Sequence, residues 1–326
     1  MRRKLSLLFA ALFCMASIGV ATGSSSAQIS LDILESCQSA GLETFVVDGQ
    51  GVCSHGGDTL STVDTTVDAA EPSRAPCFGT NSGKRVVMIY GRPSDRADKF
   101  TATRGSLREI AAQADMLLDD SSQTADQHIR WHCGSDGKVT VLNVTLKAVG
   151  SDATFTFDDM YNSLVNQGYT RTDRIYVTYV DQVTDAYEFG GQGTVDNDPS
   201  AASTNLNNTG PAYSLVAYLN AGTFLHEIGH NLGAVQLSAP HATGRWHCWD
   251  DQDLMCYNDG GNYVQTDPLK TLEMCPVGPE SQFDCNHNDY WNPSGGLTRR
   301  TGGALWNTAN NGFLTSVSHC SLPTTC

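Results

Sequence analysis

The segment His226-Glu-Ile-Gly-His-Asn-Leu-Gly233 constrains the structure and the chemistry of this chain more than any other part of its sequence. On a helix, His226 and His230 are four positions apart, so their imidazole rings lie on the same face. Two imidazoles at this spacing can bind one zinc ion, and Glu227 can then act as a general base. The segment therefore predicts a helix that carries a zinc-hydrolase site.

The apolar residues around this motif lie on the other side of the same predicted helix. They form one stripe, which consists of Ala221, Phe224, Leu225, Ile228 and Leu232. Because the two histidines are not part of the stripe, the core does not require them. This separation counts against the alternative hypothesis, which is a pair of surface or hydrogen-bonded histidines on an ordinary helix.

Two further features follow the motif. Gly233 can end the helix by a left-handed turn that costs glycine little, and Leu254-Met-Cys-Tyr257 follows downstream. With these features, residues 226–257 resemble the metzincin metallopeptidases. Their pattern is H-E-x-x-H-x-x-G-x-x-H, or Asp at the last position in the snapalysin-like group, followed by a methionine-containing turn beneath the site.

The resemblance implies a cofactor, a substrate class and two residue roles. The cofactor is Zn²⁺ and the partner is a polypeptide substrate. Met255 would form the floor of the site. Tyr257, in a Met-x-Tyr sequence similar to that of astacins and serralysins, would approach the metal and stabilise an oxyanion. The alternative for Tyr257 is an ordinary half-buried tyrosine.

The chain departs from the family pattern at the third ligand position, where Gln236 stands. An amide oxygen can bind zinc, but it is a weaker and less common ligand than imidazole or carboxylate. The predicted ligand set is therefore His226, His230 and Gln236, with two alternatives left open. Either His241 or His247 reaches the metal from the following loop, or the site is impaired.

Acidic residues downstream of the motif give two weaker signals. A carboxylate from Asp250, Asp251 or Asp253 could also reach the metal, but loop carboxylates of this kind are more often solvated. Residues 284–289, Asp-Cys-Asn-His-Asn-Asp, resemble a calcium loop only superficially. The turn glycine and the closing bidentate glutamate of an EF-hand are missing. We therefore expect a hydrogen-bonded turn there.

The chain begins with basic residues, an apolar run over residues 5–20 and a small-residue stretch, which is the layout of a secretory signal peptide. We expect residues 1–27 to be that signal peptide, residues 28–76 to be an N-terminal extension or propeptide, and residues 77–326 to be the metzincin-like catalytic domain. No later run approaches eighteen apolar residues. We therefore expect a secreted, extracellular protein with no membrane partner.

Loss of residues 1–27 would remove Cys14 and leave ten of the eleven cysteines, an even number that predicts up to five disulfides in an exported chain. Short sequence separation favours three pairs, and a fourth less strongly: Cys37 with Cys53, Cys275 with Cys285, Cys320 with Cys326, and then Cys248 with Cys256. For Cys77 we prefer a disulfide over a latency role in which its thiol caps the zinc. The absence of CxxC pairs counts against a structural zinc module.

The charge of the chain limits its partners. The formal net charge is −15, and losing three basic residues with the signal peptide makes it −18. This balance disfavours nucleic acid and anionic membrane surfaces as partners. We expect a monomer that binds polypeptides.

From residue 85 onward, buried strands alternate with amphipathic helices. Strands are predicted at residues 86–90, 139–146, 175–180 and 213–219, and helices at residues 107–118 and 157–165. This order predicts an α/β (α+β) fold with a twisted, mostly parallel sheet, against which the metal helix packs. A loop-rich, disulfide-bonded subdomain should follow Tyr257. Within it, Leu305, Ala309 and Phe313 could line a terminal helix.

Residues 77–326 are also similar to secreted actinobacterial proteins with a metzincin-like pattern, through residues 77–90, 226–257 and 283–314. The predicted function is a secreted zinc endopeptidase, with Glu227 as general base. The alternative, based on Gln236, is a catalytically impaired metzincin-fold protein with a binding or structural role. A gluzincin protease fits poorly, because Glu273 and Glu280 lie in sequence rich in Pro, Gly and Cys.

Overall fold

The computed structural model describes residues 35–47, 50–58, 75–150, 155–182, 189–250, 253–261 and 282–317. The predicted signal peptide, the predicted disulfide between Cys320 and Cys326, and Asp251 all lie outside these residues. No helix in the described ranges is both long enough and apolar enough to cross a membrane.

A five-stranded sheet forms the centre of the protein. Its strands are β3 (Arg85–Pro93), β5 (Val141–Leu146), β6 (Arg174–Val180), β7 (Gly191–Gly193) and β8 (Ala212–Val216). They lie in the order β5-β3-β6-β8-β7; the first four are parallel, and β7 is antiparallel at the edge. Strand β6 is buried throughout, as expected for a parallel strand with both faces covered. The predicted mostly parallel α/β sheet is confirmed.

Three helices cover the two faces of this sheet. Helices α1 (Phe100–Ser122) and α3 (Ala221–Asn231) contribute to one apolar core, and α2 (Phe157–Asn166) contributes to the other. Helix α2 begins with a capping box, in which the side chains of Thr156 and Asp159 accept hydrogen bonds from each other's backbone amides. The helices predicted at residues 107–118 and 157–165 are thus confirmed, and α1 is longer than predicted.

The N-terminal part of the described chain packs onto this body. Strands β1 (Glu43–Val47) and β2 (Gln50–Ser54) form an antiparallel hairpin. The ring of Phe45 lies 5.2 Å from that of Phe157 and 5.6 Å from that of Tyr161, both on α2. Beyond the hairpin, residues 54–58 run beside β7 through two antiparallel bridges, Ser54 to Thr194 and Asp58 to Gly191. The segment therefore extends the edge of the central sheet.

The C-terminal part contains short strands in place of the predicted terminal helix. Strands β9 (Leu297–Thr298) and β10 (Ala304–Leu305) pair with each other, and β11 (Leu314–Ser316) pairs with β4 (Gln127–Ile129). The predicted helix along Leu305, Ala309 and Phe313 is wrong. Asparagine side chains explain the difference, because the Asn307 and Asn311 carbonyls accept hydrogen bonds from the amides of Ala309 and Phe313 and stabilise turns instead.

Three disulfides lie within the described residues. The predicted pairs Cys37–Cys53 and Cys248–Cys256 are confirmed. Cys77 pairs with Cys133, so its thiol is not available to cap a metal. Cys285 is also disulfide-bonded, and its predicted partner, Cys275, lies outside the described residues.

The glycine after the metal-motif helix provides a test of how that helix ends. Gly233 has φ +86°, and a Cβ there would lie 2.6 Å from Asn207 and 2.8 Å from the Trp306 indole nitrogen. We expect Gly233→Ala to lower the free energy of unfolding by about 2–4 kcal/mol, because backbone strain and a steric clash add. Urea denaturation measures the change.

Gly137 offers a matched control for that variant. It also has a positive φ of +67°, but a Cβ there would meet nothing within 4 Å. Gly137→Ala should therefore cost only the backbone strain, about 1 kcal/mol. Equal losses in the two variants would contradict the proposed clash at the helix end.

Candidate metal centre

Helix α3 is fixed at both ends and along its inner side. At its start, the Asn220 carbonyl accepts a hydrogen bond from the Thr223 amide at 3.0 Å. Near its end, the Asn231 carbonyl accepts from the Ser214 hydroxyl on β8 at 2.6 Å, and its amide donates to the Thr194 backbone oxygen at 2.8 Å. The helix is therefore held against the sheet, and its polar side faces away from the apolar core.

The two helix histidines lie side by side on that polar side. Their Nε2 atoms are 3.1 Å apart, and both residues are buried. The Nδ1 atom of His226 lies 2.7 Å from the carbonyl oxygen of Leu254, to which it donates in the tautomer that leaves Nε2 unprotonated. This contact orients the ring in the way that outer partners orient metal-binding histidines.

A third imidazole joins this pair from the loop after the helix. The His247 ring centre lies 5.0 Å from that of His230 and 5.4 Å from that of His226. Its Nδ1 atom lies 3.1 Å from the carboxylate of Asp259, which also accepts a hydrogen bond from the Thr243 hydroxyl at 2.6 Å. Burial disfavours protonation of His247, but Asp58 and Asp259 raise its pKa to about 9.

The carboxylate of Asp58 lies where the three imidazoles converge. Its Oδ2 atom is 3.1 Å from His226 Nε2 and 3.5 Å from His230 Nε2, while its Oδ1 atom is 3.1 Å from His247 Nε2. The Tyr257 hydroxyl donates to the same Oδ1 atom at 2.6 Å. Although burial favours protonation, the neighbouring histidines hold the pKa of Asp58 well below its usual range.

The two helix histidines have a nitrogen spacing that one zinc ion could bridge, and His247 belongs to a group of possible metal ligands with Asp58 and His230. Two nitrogens bound to one tetrahedral zinc lie about 3.3 Å apart, and the Nε2 atoms of His226 and His230 are separated by 3.1 Å. Three imidazoles with a fourth position left for another ligand make up a known catalytic zinc set. Here Asp58 lies at that fourth position, so the donor set fits the metal.

The structure does not bring Gln236 into this group. Its amide nitrogen donates to the backbone oxygens of Asp196 and Gly233 at 3.0 and 3.2 Å, which ties the helix end to the segment after β7. His241 also lies elsewhere, with its Nδ1 atom against the carboxylate of Asp289. His247, one of the two loop histidines that the sequence left open, occupies the place predicted for Gln236.

Glu227 is fully buried, next to the edge strand β7. A Cβ on Gly191 would overlap the Glu227 carboxylate, so glycine makes room for this side chain. Neither carboxylate oxygen of Glu227 accepts a hydrogen bond from a described residue. Burial, and then the nearby Asp58 carboxylate, raise the pKa of Glu227 well above its usual range.

Met255 and Tyr257 lie on two sides of the histidines. Met255 is fully buried, and its sulfur would lie 2.6 Å from a Cβ added to Gly229, the residue before His230. The methionine thus packs directly under the helix. The Tyr257 ring centre is 4.3 Å from that of His247. Burial, followed by the Asp58 charge, raises the pKa of Tyr257, so its hydroxyl remains a donor.

Two residues of this centre, His55 and Asp58, were missed in the sequence. The His55 ring stacks on His230 with ring centres 3.7 Å apart, and its Nε2 atom is 3.9 Å from Glu227. Both residues lie more than 160 positions before the helix, and their Cys-Ser-His-Gly-Gly-Asp context has no metal-ligand spacing. Only the pairing of residues 54–58 with β7 brings them to the histidines.

Comparisons with known proteins add little to this geometry. No protein-family model matches the chain, and no curated protein matches it. Among solved structures, the chain is similar to metalloproteinase-II from Bacteroides fragilis, with a TM-score of 0.28 and 16% identity. The match covers 60% of this chain and 54% of that one, so the chain spans about half the length of the structure it matches.

Proposed function

We propose that this protein is a zinc-dependent endopeptidase in which His226, His230 and His247 hold the metal. The observation that carries the proposal is the convergence of their three Nε2 atoms within 3.1 to 3.5 Å of one buried carboxylate. In the sequence, only His226 and His230 have the spacing of a zinc motif. The contribution of His247 turns an incomplete pattern into a full set of three imidazoles, which counts against the impaired-site hypothesis.

The side chains around the histidines match the steps of peptide hydrolysis. A zinc ion bound there would polarise the peptide carbonyl and lower the pKa of water. Glu227 is buried beside the histidines and is not a member of the set, so it can accept a proton from water and pass it to the leaving amine. The Tyr257 hydroxyl can donate a hydrogen bond to the developing oxyanion, as it does to Asp58 here.

The edge strand β7 supplies a binding surface for an extended polypeptide. One side of β7 pairs with β8, and the other side faces residues 54–58. There the Asp58 amide donates to the Gly191 oxygen at 2.9 Å, and the Gly190 amide donates to the Asp58 oxygen at 2.8 Å. A substrate could form the same backbone hydrogen bonds by adding a strand to this edge.

The same contacts support the interpretation of residues 28–76 as a propeptide. Residues 54–58 occupy the edge where a substrate would pair, and Asp58 occupies the position opposite the three imidazoles. A substrate and this segment therefore compete for one place. We propose that the chain is latent until the segment leaves, and that export supplies the oxidising compartment in which its disulfides form.

The third-ligand assignment can be tested by alanine substitution. His247→Ala should weaken zinc binding by about a hundredfold or more, because it removes an imidazole donor. Gln236→Ala should leave the zinc affinity within a few-fold of the parent, since its amide bonds only to backbone. Competition with a chromophoric chelator measures both affinities. The reverse order, with the larger loss in Gln236→Ala, would contradict the assignment.

The role of Glu227 requires a variant that separates chemistry from metal binding. Glu227→Gln should keep one zinc per chain and lower the rate of peptide cleavage by about 10²- to 10⁴-fold, because the amide cannot accept the proton. His226→Ala is the contrasting variant, which should lose the metal itself. Zinc content and hydrolysis of a denatured protein are measured together. A Glu227→Gln protein without zinc would show that Glu227 acts as a ligand.

Latency predicts a gain of function on removing one carboxylate. Asp58→Ala should increase cleavage of a denatured protein and speed the removal of zinc by a chelator, because the fourth position becomes accessible. Glu43→Gln is the matched control, since Glu43 lies on the hairpin that precedes Asp58 and contacts Gln192 rather than the histidines. If zinc is bound but neither variant cleaves protein, before or after proteolytic removal of the segment, the binding-protein alternative is favoured.

A further inference from the structure

A group of buried acidic residues lies in the C-terminal half of the chain, separate from the three histidines. Asp250, Asp253 and Asp289 place carboxylate oxygens within 4.8 Å of one another. Each of these residues is at most 1% exposed. The sequence-based expectation that Asp250 and Asp253 are solvated loop residues is therefore wrong. The loop folds inward because the Cys285 amide donates to Asp253 at 2.6 Å and draws the two C-terminal loops together.

The neighbouring Asp284 is a buried carboxylate that accepts several backbone hydrogen bonds. It accepts hydrogen bonds from four successive backbone amides, those of residues 288–291, at 2.6 to 3.5 Å. Residues 284–291 thus form the hydrogen-bonded turn that the sequence predicts. These donors solvate the Asp284 carboxylate, and the turn places Asp289 beside Asp250 and Asp253.

Asp289 lacks comparable hydrogen bonds. Its side chain is completely buried, its Oδ1 atom contacts His241 Nδ1, and its Oδ2 atom has no hydrogen-bond donor among the described residues. No described lysine or arginine forms an ion pair with Asp284 or Asp289. Burial, and then the charges of Asp284 and Asp289, raise the pKa of Asp253 to about 11. Several carboxylates buried this close together are costly.

We propose that Asp250, Asp253 and Asp289 bind a structural calcium ion, in a site separate from the three histidines. Carboxylate oxygens are the ligands that Ca²⁺ prefers, and a divalent cation would bind the Oδ2 atom of Asp289, which accepts no hydrogen bond from a described residue. His241 contacts the Oδ1 atom of Asp289, so it can orient that carboxylate while Oδ2 binds the ion.

This site would stabilise both loops that shape the histidine centre. Asp250 stands three residues after His247 in the chain, and Asp253 directly precedes Leu254, whose carbonyl oxygen lies 2.7 Å from His226 Nδ1. A cation held by both aspartates would fix the chain just after His247 and just before Leu254. The inference does not depend on peptidase activity, because it concerns folding stability and a separate metal.

The test uses the full-length protein, stripped of metal with EDTA and dialysed into metal-free buffer. Adding CaCl₂ alone should raise the melting temperature by about 5 °C or more at a hundredfold excess over the dissociation constant. Equilibrium dialysis with ⁴⁵Ca should find one site per chain. His230→Ala, which disrupts the zinc site, should bind calcium like the parent, and this result separates failure of the calcium site from failure of the proposed zinc enzyme.

Asp289→Asn should lose at least 90% of the calcium-dependent shift. Asp136→Asn, at an exposed carboxylate that pairs with Arg108, should retain the full shift. If Asp289→Asn does not fold, the parent and His230→Ala titrations still decide the question. The proposal is overturned if the parent binds no calcium at millimolar concentration, if Asp136→Asn loses the shift equally, or if the site takes up zinc in preference to calcium.

Discussion

The close approach between helix α3 and the loop that ends at Tyr257 is the constraint on which the rest of this structure depends. Gly229 has no side chain, so the Met255 sulfur can pack directly under the helix. At the same level, the Leu254 oxygen lies 2.7 Å from His226 Nδ1. The contact of Met255 with Gly229 sets how closely the loop packs against the helix. The contact of Leu254 with His226 sets the orientation of the His226 ring. The Cys248–Cys256 disulfide then holds the other end of the loop, which carries His247, in register with the helix.

Most of the scaffold could be predicted from periodicity. The strands of the parallel sheet are apolar and rich in β-branched residues, and the helices are amphipathic. The local sequence pattern of each element therefore agrees with its place in the fold. The edge strand β7 could not be predicted, because Gly191-Gln-Gly193 has little strand propensity. Its first glycine is explained only by the structure, where the Glu227 carboxylate leaves no room for a Cβ. In the C-terminal segment, apolar residues at helical spacing predicted a helix that does not form. Asparagine side chains there accept hydrogen bonds from backbone amides and stabilise turns instead.

The site was only partly readable for a different reason. The spacing of His226 and His230 is local, and a helix converts it directly into geometry. His247, Asp58 and His55 reach the same point through a disulfide-bonded loop and through strand pairing across a long stretch of chain. No short pattern records such contacts. Family analogy pointed to Gln236, whose side chain is instead used to hold the end of the helix to the segment after β7.

The hairpin and residues 55–58, which follow it and include Asp58, form one segment whose attachment to the same chain has a thermodynamic consequence. It is held by the Cys37–Cys53 disulfide, by the packing of Phe45 on α2 and by pairing with β7. While it belongs to the same chain, its effective concentration at the histidines is on the order of millimolar, well above that of an ordinary free peptide. After a single cut in the chain, this segment would still be bound at the histidines, but as a separate molecule. The fraction of histidine centres that it occupies would then fall on dilution. The proposed inhibition would therefore depend on the protein concentration.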